Sequence, residues 1–169
     1  MSTSHGKLYA VRTLLSFLII LNLIFIFAFS MQNAEESAEV SGSISNTVAN
    51  VVVEDFESKP QEEKEEILLG IDAVVRKLAH MAEFASLAAL TLLLLSTWHI
   101  KLPWRLTASL GLVLASGFTD ELLVQMRSDG RSPQVKDVLI DLLGGAVGCC
   151  AALLLIRLFV RAKNARKAK

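Results

Sequence analysis

Apolar residues gather into four long runs along this chain. The first is Thr13–Ser30, TLLSFLIILNLIFIFAFS. The second is Leu78–Trp98, interrupted only by His80 and Glu83. The third, Leu106–Met126, carries Asp120 and Glu121, and the fourth, Val138–Val160, carries Asp141 and Arg157. Each holds roughly 18–23 residues, enough for a helix to cross about 30 Å of hydrocarbon. Strands of a membrane barrel would alternate over about ten residues, and these runs do not alternate. The pattern predicts an all-α, polytopic membrane bundle with transmembrane helices over 13–30, 78–98, 106–126 and 138–160. A short tail, 1–12, precedes it and a basic tail, 161–169, follows it.

The remaining segment, 31–77, lies outside the membrane in this reading. Met31–Asn50 is polar and Ser/Asn-rich and is expected to be irregular. From Pro60 to about 77 the pattern predicts an additional amphipathic outer helix. Pro60 suits a first turn, and the acids crowded behind it suit the helix dipole. Ile67, Leu68, Ile71, Val74 and Val75 form its apolar stripe. Such a helix can lie on the outer surface and run into the second span, with its charge run as a solvated face.

Composition agrees with this picture. Of 169 residues, 53% are hydrophobic, against about 45–50% in ordinary soluble domains. The mean hydropathy is +0.49. Net charge is zero, but its distribution is uneven. Lys7 and Arg12, then Lys101 and Arg105, then the basic C-terminal tail share one side of a four-pass topology. The positive-inside rule makes that side, and both termini, cytoplasmic. Arg76, Lys77, Arg127, Arg131 and Lys136 fall on the other side, which implies that they serve another purpose. The first run has a second reading as a signal peptide, with Ala28–Ser30 as a small-residue cleavage site; its apolar core is long for that role. Cys149 and Cys150 are adjacent within an apolar run and cannot form a disulfide framework or a zinc site alone.

Depth and helical face bring the polar groups together. His80 and Glu83 fall in the first two turns of the second span, Asp120, Glu121 and Gln125 in the last two turns of the third, and Asp137 and Asp141 at the start of the fourth. All lie within roughly 10 Å of the outer boundary at 1.5 Å per residue. Arg76, His80 and Glu83 share a face. Gly117, Glu121 and Gln125 share another, with Asp120 beside it. Asp137, Asp141, Gly144 and Gly148 form one stripe, whose glycines allow close helix approach. Ionisable groups within a span face the bundle or a wet cavity, so the three helices are expected to pool these groups in one site. Five acids there (Glu83, Asp120, Glu121, Asp137, Asp141) balance the five cations named above. An ion-pair network that merely fixes the bundle is the alternative, though such networks stabilise weakly once desolvation is counted.

Three kinds of activity fit such a site. A binding protein would hold a lipid head group, a lipid-linked ligand or a lipoglycopeptide, with Lys77, Gln125, Arg131, Asp137 and Asp141 as ligand-binding candidates. An intramembrane enzyme would use His80 as general base, with Glu83, Asp120 and Glu121 as its catalytic companions. Arg131 would clamp a phosphate. A conduit fits least, because the inner halves of the spans offer only small residues such as Ser109 and Ser116. The oxygen-rich set also permits a divalent cation, without any fixed ligand spacing to specify one. There is no Walker loop and no nucleophile elbow, and nothing points to nucleic acid. His5 and His99 lie in or near cytoplasmic loops and carry no signal.

Four stretches together resemble the VanZ-like family of small membrane proteins. They are FSMQNAEESAEVSGSIS from Phe29, RKLAHMAEF at Arg76–Phe84, TDELLVQ at Thr119–Gln125, and GRSPQVKDVLIDLLGGAVG at Gly130–Gly148. The resemblance spans about residues 12–160 and rests on the order and spacing of the four. It departs at Met126, Arg127, Ser128 and Asp129, where relatives often carry an aromatic and a proline, and at Asp141, where many carry Asn. The resemblance implies an uncleaved first helix and a role in lowering susceptibility to teicoplanin-type lipoglycopeptides. It implies no shared chemical reaction.

Overall fold

A backbone surrounded by apolar side chains must satisfy its own hydrogen bonds, and this chain does so with helices. The computed structural model describes residues 2–31, 34–127 and 135–167, with side chains described for 5–31, 42–123 and 136–166. Among the described residues there is no strand. The elements are α1 (Ser2–Ser30), α2 (Ala34–Val52), a 3-10 turn (Phe56–Ser58), α3 (Gln61–Ser96), α4 (Leu102–Arg127) and α5 (Val135–Lys167).

Two expectations need correction. The outer helix over 60–77 is not a separate element. Pro60 adopts ψ 151 just before α3, and Glu62 and Glu63 occupy the first turn. No proline interrupts the sequence from Gln61 to Ser96. The helix therefore continues unbroken for 36 residues, about 54 Å at 1.5 Å per residue. The additional helix is instead α2, within the stretch expected to be irregular. Its Ser, Gly, Asn and Thr residues are poor helix formers, and packing overrides that weak preference. Ser45 and Ala49 are buried, and the Ser45 hydroxyl donates to Asp72 Oδ1 of α3 at 3.3 Å.

α1 runs antiparallel to α3 and is fastened to it along its length. At one end the Arg12 guanidinium donates to the Thr97 carbonyl at 2.7 Å and the Thr97 hydroxyl at 3.0 Å. The same group lies 4.5 Å from the centre of the Trp98 ring. Midway, the Asn22 amide donates to the Ser86 hydroxyl. Ile26 then joins Phe84, Leu87, Ala88, Val113 and Cys149 in the buried core. The beginning of α1, the end of α3 and the beginning of α4 thus lie together at what we term the basic end, with Lys7, Arg12, Lys101 and Arg105.

The outside of this core is apolar. Leu14, Phe17 and Ile20 of α1, Phe118 and Leu122 of α4, and Leu143, Val147, Leu154 and Leu155 of α5 are all more than half exposed. Water-soluble monomers rarely leave so much contiguous apolar surface uncovered. Among the described residues, four stretches are long and apolar enough to cross a membrane: His5–Ser30, Gln61–Ser96, Leu102–Leu123 and Lys136–Arg166. In lipid, burial of apolar surface gives helices little reason to associate; close packing and interhelical hydrogen bonds do.

Candidate functional site

The closest packing is between α3 and α5, and glycine makes it possible. A Cβ added at Gly144 would overlap the Met81 carbonyl oxygen, and one at Gly148 would overlap the Ala85 carbonyl. Gly145 faces the other way, where an added Cβ would lie 3.1 Å from both methyls of Val113 on α4. The Gly144–Gly145 pair therefore seats α5 between α3 and α4. One turn earlier on the same side of α5 comes Asp141, 2% exposed. On α4, Ser109, Val113, Ser116, Gly117 and Asp120 form a buried stripe. Gly117 leaves a notch for Asp141: an added Cβ would come within 2.9 Å of Asp141 Oδ2.

His80 completes the cluster from α3. Its Nε2 lies 3.3 Å from Asp120 Oδ2 and 3.6 Å from Asp141 Oδ1, and its Nδ1 lies 3.4 Å from Glu83 Oε2. The ring stands edge-on to Phe84, with centroids 5.1 Å apart, so its plane is set by packing as well as by charge. Both ring nitrogens face carboxylate oxygens. Both can donate only when the imidazole carries two protons. Asp120 Oδ1 and Asp141 Oδ1 are buried and have no hydrogen-bond partner. A buried acceptor left without a donor costs about 1–3 kcal/mol, and more when charged. The arrangement can hold a proton, orient an imidazole, or receive a donor from a further group.

The predicted site residues divide accordingly. His80, Glu83, Asp120 and Asp141 meet. On α4 it is Asp120, not Glu121, that enters the buried stripe; Glu121 is half-buried beside it. Asp137 is half-buried in the first turn of α5, and Lys77 is exposed. Gln125 belongs to α4 by its backbone, but its side chain lies outside the described residues, as does all of Arg131. Arg76 departs from the face assigned to it with His80 and Glu83. It turns back one helical turn to Asp72, at 2.8 Å. Asp72, 8% exposed, is not marked by the hydropathy pattern; its spacing of four from Arg76 is the signal that could reveal it.

Among the described residues, no three His, Cys, Asp or Glu side chains form a group suited to a metal ion. The separations from His80 to Glu83 and Asp120, 3.4 and 3.3 Å, are of hydrogen-bond length. A separate cavity of about 290 Å³ opens between α2 and α3, lined by Gly42, Ser45, Asn46, Glu65, Leu68, Leu69 and Asp72. It lies two turns or more along α3 from His80 and shares no residue with the cluster.

The profile of the VanZ/LLP1 family matches residues 15–158, a stretch that takes in the whole cluster. No curated protein and no solved structure matches the chain.

Proposed function

The chain belongs to the VanZ/LLP1 family, and from that premise we propose that it acts in the cell envelope as a multi-pass membrane protein that binds a polar group at the outer face of the bilayer. The basic end faces the cytoplasm in this reading, with both termini, as the positive-inside rule requires. The cluster of His80, Glu83, Asp120 and Asp141 then sits toward the outer leaflet. The carrying observation is that three helices bring four ionisable side chains to one point, two of them nearly inaccessible carboxylates. Ionisable groups are placed inside a membrane bundle at a cost that function commonly explains. Its partners are membrane lipids and a lipid-linked or lipoglycopeptide ligand, whose access to the envelope it alters.

Drug susceptibility tests this. Cells expressing the protein should show a teicoplanin inhibitory concentration raised several-fold more than that of vancomycin. Asp120→Asn, at equal membrane abundance, should abolish the difference. Equal shifts for the two drugs would count against the reading.

One observation favours a second reading, an enzyme acting on a lipid or lipid-linked head group. His80 is braced by Glu83 at Nδ1, the relation that orients a general base in hydrolytic triads. Lipid extracts from cells with and without the gene should then differ in one head group, and His80→Ala should remove the difference. Identical lipid profiles would sink it.

A further inference from the structure

The cluster's unmet hydrogen-bonding needs describe what it would take, and we propose that this is a primary ammonium group, carried by a lipid head group or by an amphiphile arriving from solution. The inference rests on the binding reading above and specifies its ligand.

Charge comes first. Three carboxylates, Glu83, Asp120 and Asp141, surround the one imidazole. Arg76 is engaged by Asp72, and Lys77 is exposed. Even with His80 doubly protonated, these four side chains keep an excess of negative charge. That excess favours a cation as the group that joins them.

Geometry narrows the cation. Asp120 directs Oδ2 at His80 and so presents one oxygen, Oδ1, without a donor, while Asp141 Oδ1 faces His80 Nε2 at 3.6 Å and also lacks a hydrogen-bond partner. Both residues are more than nine-tenths buried. A guanidinium prefers a carboxylate that offers both oxygens to its planar fork, and Asp120 does not do so here. A quaternary ammonium has no N–H and would leave both oxygens unmet. A metal ion would need oxygens at about 2.0–2.6 Å around one centre, and no such group exists among the described residues. A primary ammonium is a compact charge with three donors in a tetrahedral array. It can answer single oxygens on two different helices and keep one donor for Glu83 or water.

The test is lipid retention by the full-length protein in detergent micelles, read by native mass spectrometry. Phosphatidylethanolamine, phosphatidylcholine and phosphatidylglycerol are offered separately, and dodecylamine is offered as the soluble amphiphile. Phosphatidylethanolamine should bind about tenfold more tightly than phosphatidylcholine, the weight of one charge-assisted hydrogen bond. Asp120→Asn and Asp141→Asn should each remove most of that preference, in samples matched for helicity. Glu83→Gln, at a half-buried position, should reduce it less and guards against loss of fold at the other two. Binding of dodecylamine without phosphatidylethanolamine would support the ammonium and assign it to a soluble source; binding of both would support it and assign it to lipid.

Equal binding of phosphatidylcholine would overturn the proposal. So would manganese binding, by electron paramagnetic resonance, that Asp141→Asn abolishes. Phosphatidylglycerol bound in an Asp141-dependent way would refute the ammonium and leave the binding reading standing. Failure of the wild-type protein to retain any of the four compounds would defeat both.

Discussion

Gly148 and Gly111 are both helical glycines in apolar runs, yet their surroundings differ completely. A side chain at Gly148 would meet the Ala85 backbone, whereas one at Gly111 would meet nothing within 4 Å. Gly148→Ala should therefore lower stability by about 1–3 kcal/mol, as overpacking does. Gly111→Ala should raise it by up to about 1 kcal/mol through helix propensity. Gly145→Ala should fall between them, because the Val113 methyls it meets can shift more readily than backbone. Thermal unfolding in detergent would check the order, and a Gly148→Ala variant as stable as Gly111→Ala would contradict the α3–α5 contact. At this scale the sequence was legible where spacing decides. Asp141, Gly144 and Gly148 recur on one side of a helix whatever the neighbours do. It was less legible where a neighbour decides. Asp120 and Glu121 are adjacent acids, and only the position of α3 selects Asp120. Arg76 lies four positions from Asp72 and seven from Glu83, and only the four-residue spacing brings side chains on one helix together.

Among the elements, α2 was hidden and α3 was divided. Ala34–Val52 lacks the long apolar run that marks a span, and its small polar residues favour turns when isolated. The helix depends on a surface that only the folded chain provides, the side of α3 bearing Asp72. Asp72→Ala should therefore speed hydrogen exchange in α2 while leaving α5 amides unchanged. The effect is expected to be modest, because the Ser45–Asp72 hydrogen bond is long, at 3.3 Å. Slower or unchanged exchange in α2 would show that other contacts hold it. The division of α3 came from a change of composition near Leu78, from charged to apolar. Composition records the surrounding medium; it does not break a helix. Only a proline, a glycine cluster or a capping sequence does that, and 61–96 holds just Gly70.

For the molecule as a whole, the four spans were plain because hydropathy is a local property and needs no tertiary knowledge. Orientation rests on the asymmetry of Lys and Arg and calls for its own experiment. In a variant with Cys149 and Cys150 replaced by alanine, a membrane-impermeant thiol reagent applied to intact cells should label Glu62→Cys. Lys163→Cys should react only after permeabilisation. The reverse pattern would invert the topology and place the cluster at the inner leaflet.

The unbroken course of α3 has a mechanical consequence. Asp72 and His80 lie on one rod, eight positions apart, and a helix turning about 100° per residue sets them about 80° apart around its axis. No break in the helix separates them. The helix that Asp72 joins to α2 is therefore the same continuous helix that sets the imidazole between Asp120 and Asp141. α3 is thus one beam, pinned near one end to α2 through Asp72 and at the other, through Thr97, to the start of α1.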